Sequence, residues 1–232
     1  VGTAGGITTL VSYPALLLAG VPPLDASIAN TVAVVACWPG AALTSRPELV
    51  DRWGWLLRWS GVALVGGVAG AILLLTTPPG LFARLVPFLL AGGSVVLVVQ
   101  GWMRGAADAR IGRATPFVLG VGLFLCCVYN GYFGAGSGVL TLVLLLVLVE
   151  RGVVRANALK NMLIGAASIV SAVAFVGSGR VRWLDALPLA VGLFAGSLLG
   201  PPVARRLPPW LLRWSVALMG AGFAVRLWVA PL

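Results

Sequence analysis

Residues 116–150 read PFVLGVGLFLCCVYNGYFGAGSGVLTLVLLLVLVE, an apolar run whose only charge is the closing Glu150. As one continuous helix it would be about 52 Å long at 1.5 Å per residue. The hydrocarbon core of a bilayer is only about 30 Å thick. The centre of the run, Gly131–Gly138, is rich in glycine, which permits backbone turns that other residues resist. A hairpin of two short helices, turning back at that centre, is therefore expected.

The basic residues test this choice. With a hairpin, the loops 44–58, 104–115, 150–160 and 205–213 share one side of the membrane. They carry Arg46, Arg52, Arg58, Arg104, Arg110, Arg113, Arg151, Arg155, Lys160, Arg205, Arg206 and Arg213. Only Arg84, Arg180 and Arg182 fall on the other side, with Arg226 inside the last span. With a continuous crossing the same residues divide almost evenly. Cytoplasmic loops are enriched in Lys and Arg, so the hairpin is favoured and the arginine-rich side is read as cytoplasmic.

Composition places the whole chain in lipid. Of 232 residues 60% are hydrophobic and 9% charged, against roughly 25% charged in soluble domains. Spans of about the required length are expected at 27–43, 55–76, 85–103, 157–176, 184–203 and 211–228. Trp53, Trp55, Trp102, Trp183, Trp210 and Trp228 mark their ends, where an indole N–H reaches the interface. The net charge of +10 does not indicate nucleic acid, because the arginines lie in short loops between spans. Cys37, Cys126 and Cys127 lie inside apolar segments and read as small packing residues. The chain has no histidine, so no metal site, cofactor or catalytic dyad is expected, nor an enzyme. It starts at Val1 within an apolar Gly-rich run, and an upstream span or half-span is expected before it.

The chain also resembles itself. VGTAGG at 1–6 followed by ITTLVSYPALLLAG matches FGAGSG at 133–138 followed by VLTLVLLLVLVERG. Gly2 then pairs with Gly134, Gly6 with Gly138, Gly20 with Gly152 and Asn30 with Asn161. An odd number of passes separates the halves, so they are expected to be inverted, as in many secondary transporters. The expected fold is all-α: a polytopic integral membrane protein of two inverted repeats, residues 1–103 and 116–232, joined by a cytoplasmic linker, 104–115. Each repeat would hold a Gly-rich broken or re-entrant hairpin followed by three transmembrane helices.

The glycine-rich tips are the first candidate site. Each opens a helix whose first N–H groups lack internal partners and carry partial positive charge, a natural complement to an anion. Close helix packing through small residues is the competing reading. Lys160, the only lysine, lies early in an apolar helix beside Asn161. Its head either snorkels to the surface or turns inward to balance an anionic substrate. Asn30 and Asn161 need partners inside the membrane and would serve either a ligand or a neighbouring helix. Tyr129, Asn130, Gly134, Gly136, Ser137 and Gly138 crowd the second tip. Thr9 and Tyr13, with Thr8 and Ser12, give the first half a comparable polar strip. Ser168 and Ser171 are weaker candidates. The acids Asp25, Glu48, Asp51, Asp108, Glu150 and Asp185 all lie in or beside loops, so coupling through a mid-membrane carboxylate is not expected.

The runs GTAGGITTLVSYPALLLAGVPP and ASIANTVAV resemble the first half of the TauE/SafE family of sulfite and sulfonate exporters. YNGYFGAGSGVLTLVLLLVL, NALKNMLIGAASIVSAVAF and the closing ARRLPPWLLRWSVALMGAGFAVRL resemble its second half. The resemblance implies a plasma-membrane exporter of small sulfur-containing anions such as sulfite, sulfoacetate or related organosulfonates. It matches Gly134, Gly136, Gly138, Asn157, Lys160 and Asn161 to the second motif and Gly2, Gly5, Gly6 and Asn30 to the first. The first tip departs from the family pattern, with Thr3 and Ala4 interposed in its glycine run. The partners expected are a small anion and the bilayer, with no nucleic acid; assembly into a homo-oligomer is left open. An anion channel or an uptake permease for a related oxyanion is the alternative.

Overall fold

The computed structural model describes residues 8–107, 116–150 and 152–204, together with Leu218 and Gly222. Gly2, Gly5, Gly6, most of the 104–115 linker and nearly all of the expected 211–228 span lie outside the described residues. In chain order the helices are α1 (Thr8–Leu18), α2 (Pro23–Val35), α3 (Trp38–Leu49), α4 (Trp53–Thr76), α5 (Pro79–Ala107), α6 (Pro116–Tyr132), α7 (Ser137–Leu148), α8 (Val153–Gly177) and α9 (Trp183–Ala204), with one 3-10 turn, Val50–Arg52, before α4. No strand occurs among the described residues. Among the described residues, three stretches are long and apolar enough to cross a bilayer: Pro47–Thr76, Pro79–Val96 and Val153–Gly177. Leu57, Val65, Phe117 and Leu184 are exposed on the outside of the bundle, a surface that suits lipid rather than water.

Helix limits follow local chemistry. α1 ends where Gly20 adopts φ +80. The Gly20 N–H donates to the Leu17 carbonyl and the Val21 N–H to the Leu16 carbonyl, the paired bonds of a left-handed glycine cap. Pro23 then opens α2 and Pro79 opens α5, in the first turn where a missing N–H costs least.

The 27–43 stretch, expected as one span, is two helices instead. α2 stops at Val35 and α3 starts at Trp38. Pro39 explains the break: within a continuous helix its ring would clash with the Val35 carbonyl, and it has no N–H to donate there. The chain tightens instead, with the Ala36 N–H on the Ala33 carbonyl and the Cys37 N–H on the Val34 carbonyl. The 85–103 span differs in a simpler way, since α5 already begins at Pro79.

The 116–150 stretch is indeed broken into two short helices. α6 and α7 flank a turn in which Gly134 and Gly136 take φ +78 and +84. A Cβ on Gly122 would lie 2.8 Å from a Leu144 methyl, so the arms run back alongside each other. The tip and the far parts of the arms belong to different cores. Phe133 and Ala135 pack with Leu10, Tyr13, Phe82 and Phe175. Leu123 and Leu142 pack with Leu56, Leu159 and Leu163.

α4 is the post against which α6 and α8 lie. Gly66 faces Cys127, Gly70 faces the Val128 carbonyl, and Gly67 faces Ala167. The Ser171 hydroxyl adds a bond to the Gly67 carbonyl at 2.9 Å. Small residues four apart let backbones approach this closely in membrane bundles. Ion pairs mark the two ends of α4. Arg52, just before it, reaches Glu150 at 2.9 Å, and Arg155 lies 3.9 Å from the same carboxylate. At the far end Arg180 donates to the Leu75 carbonyl, while Arg182 contacts Asp25 at 3.7 Å and Asp185 at 2.8 Å. α2 therefore starts at the end opposite to the start of α8.

Candidate functional site

α1 and α7 start near one another inside the bundle and leave toward opposite ends. At that meeting point the Thr9 hydroxyl donates to the Gly134 carbonyl at 3.2 Å, joining the first strip to the second tip. A cavity of about 100 Å³ lies there, bounded by α1, the α2–α3 break, the α6–α7 turn and α8. It is smaller than the roughly 300–1,000 Å³ pockets that hold drug-sized ligands. A small ion is the matching scale.

One part of its wall is polar. Thr8 and Thr9 come from α1, Thr31 from α2, Asn130, Gly134, Ser137 and Gly138 from the hairpin, and Lys160, Asn161 and Ser168 from α8. The other part is apolar: Val34, Val35, Ile164 and Ala41, with Cys37 and Trp38 from the break.

The hairpin side is held by a short network. Ser137 Oγ is 2.7 Å from both Asn130 Oδ1 and the Gly134 carbonyl, and its single proton serves one of them at a time. Asn130 Nδ2 donates to Ser168 Oγ at 3.0 Å, which ties the turn to α8. At the first turn of α7, the Ser137 N–H bonds to the Gly134 carbonyl, and the Val139 and Leu140 N–H groups bond to the Gly136 carbonyl. The Gly138 N–H makes none of these bonds, and Gly138 is on the cavity wall. No side chain caps α7, so the positive end of its dipole is directed at the cavity side of the turn.

Lys160 is 3% exposed, which settles its placement: it lines the cavity rather than reaching the surface. It is the charged residue among the described residues of that wall, and no acid is among them. Asn161 Nδ2 lies 3.5 Å from Ser45 Oγ, at the long limit of a hydrogen bond, linking α8 to α3.

Of the residues singled out from sequence, Thr9, Asn130, Gly134, Ser137, Gly138, Lys160 and Asn161 meet at this wall. Four others lie behind it. Asn30 is fully buried and accepts the Ser12 hydroxyl, so it links α2 to α1. Tyr13 donates to the Pro23 carbonyl at 3.1 Å and stands edge-on to Phe133 at 5.0 Å. Tyr129 donates across the turn to the Ala135 carbonyl at 2.8 Å. Gly136 lies close to Gly93: a Cβ there would be 3.0 Å from the Gly93 Cα. Asn157 is also off the wall, with a buried Oδ1 that has no partner. Thr31, Cys37 and Trp38 are wall residues that the motifs did not point to. Cys37, read as packing, also bonds through its thiol to the Leu193 carbonyl at 3.4 Å. No group of three or more metal-ligating side chains occurs among the described residues.

Comparison with known proteins agrees over nearly the whole chain. The family model described as sulfite exporter TauE/SafE matches residues 1–227. A probable membrane transporter protein, ORF9, of a Sinorhizobium species is 26% identical over 223 residues, covering 96% of this chain and 85% of its own. A probable membrane transporter protein of Haemophilus influenzae is 24% identical over 216 residues, covering 90% of this chain and 82% of its own. No solved structure matches.

Proposed function

The chain belongs to the sulfite exporter TauE/SafE family and is a membrane transporter; we propose that its cargo is a small sulfur-containing anion, sulfite or a short organosulfonate, carried outward across the plasma membrane. The observation that carries this reading is a cavity lined by a buried lysine and by amide and hydroxyl donors, with no acid among its described wall residues. A cation in a low-dielectric site attracts an anion far more strongly than the same charge does in water. Lys160 supplies that charge. Asn130, Asn161 and the Gly138 N–H supply directed donors for oxyanion oxygens.

We further propose that the two halves are inverted copies around this site. In support, α1 and α7 diverge from it, and α2 and α8 begin at opposite ends of the bundle. Rocking of one half against the other would then open the cavity to each side in turn, with the arginine-rich end facing the cytoplasm. No buried carboxylate is required to drive export. A monoanion leaving an inside-negative cell releases about 2.3 kcal/mol per 100 mV.

The test is a substrate panel in liposomes holding the purified protein. Labelled sulfite efflux should be inhibited by unlabelled sulfite and sulfoacetate more strongly than by sulfate. Equal inhibition by all anions, with flux that never saturates, would instead identify a channel. Strong inhibition by cations alone would overturn the anion reading.

A further inference from the structure

We infer that Trp38 is a direct contact of the bound anion, its indole N–H donating to an anion oxygen; this rests on the proposal that the cavity holds the cargo. Among the described residues, five buried side-chain atoms have no hydrogen-bond partner: Asn30 Nδ2, Trp38 Nε1, Glu48 Oε2, Asn157 Oδ1 and Asp185 Oδ2. Trp38 alone of these residues lines the cavity. Its orphan atom is also a donor, the polarity an anion needs. Indole N–H is donor-only, and a buried donor left bare is costly unless something meets it.

Trp38 is fixed at the cavity wall. It opens α3 directly after the break enforced by Pro39. The edge of its ring lies against bare backbone of α8: a Cβ on Gly165 would be 1.8 Å from Cδ1 and 1.9 Å from Nε1. Only glycine leaves room for the indole at this point. Packing alone would be served by a phenyl ring, which carries no donor needing a partner. The indole also adds a hydrogen bond without adding a second positive charge beside Lys160.

Trp38→Phe keeps an aromatic wall and removes the donor. In liposomes it should raise the sulfite KM about tenfold, the usual loss for one hydrogen bond to a charged group, with maximal flux within about twofold of wild type. Sulfite titration should also change tryptophan emission in wild type and in Trp59→Phe, whose ring packs against Trp55, but not in Trp38→Phe. An unchanged KM for Trp38→Phe overturns the inference. So does a wild-type emission that does not respond to saturating sulfite. Should Trp38→Phe fail to fold, Gly165→Ala replaces it: the added methyl displaces the ring, and the same rise in KM is expected. A wild-type KM there overturns the inference equally. Loss of sulfite flux in Lys160→Ala with wild-type KM in Trp38→Phe removes Trp38 and leaves the anion site. No sulfite flux in wild type removes both.

Discussion

Lys160 and Asn130 are close enough in role to be separated only by charge. Lys160→Ala removes the cation from a buried wall, so sulfite binding should fall by at least tenfold while the protein remains folded. Asn130→Asp is nearly isosteric but places a carboxylate among the same partners, Ser137 and Ser168. An acid beside the anion should suppress sulfite flux more than Asn130→Ala does. Flux measurements on the three variants give the order, and an Asn130→Asp protein that transports better than Asn130→Ala contradicts it. Ser137→Ala is expected to be milder, because Asn130 Oδ1 and the Gly134 carbonyl lose one shared proton between them. At this scale the sequence was informative where the backbone was concerned. The turn at the second tip could be read from its glycines, whereas Lys160 was left between a surface and an inward placement. Asn30 and Asn161 could not be told apart, since their repeat positions match while their neighbours differ: Ser12 on α1 for one, Ser45 on α3 for the other.

Elements are joined here through glycine faces, and the spacing makes distinct demands on each position. A Cβ at Gly70 would lie 2.1 Å from the Val128 carbonyl, backbone that cannot step aside. Gly70→Ala should therefore cost about 1–3 kcal/mol by overpacking and lower the thermal midpoint. At Gly61, on the same helix, a Cβ would meet nothing within 4 Å. Gly61→Ala should raise the midpoint, since alanine is favoured over glycine in a helix by about 1 kcal/mol. Thermal unfolding in detergent checks the pair, and similar shifts for both would mean that α4 does not pack as described. The α2–α3 break was hidden in the sequence by composition. Residues 27–43 are apolar throughout, and apolar length alone suggests a single span. The signal was Pro39, four residues after Val35. Trp38 was hidden for a related reason: it fell inside the expected 27–43 span, and only tryptophans at span ends were singled out, whereas here it starts a half-helix.

At the scale of the whole molecule, the arginine distribution led to the hairpin, and the two ion-pair clusters at opposite ends of α4 fit the same arrangement. Which end meets the cytoplasm is open to direct measurement. In a protein lacking its own cysteines, Gly152→Cys near Glu150 should react with an impermeant thiol reagent only from the cytoplasmic side. Ser178→Cys near Arg180 should react only from outside. Labelling of both from one side would contradict the inverted halves. The positioning of the cavity at the meeting point of α1 and α7 needed the structure. It depends on contacts such as Thr9 to Gly134, 125 positions apart in sequence, which no local pattern encodes. The most direct measurement is sulfite efflux from liposomes at an imposed inside-negative potential, for wild type and Lys160→Ala. Wild-type efflux should saturate with sulfite and accelerate with voltage, and the variant should lose most of it. Equal efflux in both, or none above protein-free liposomes, would contradict an anion carrier built around this cavity.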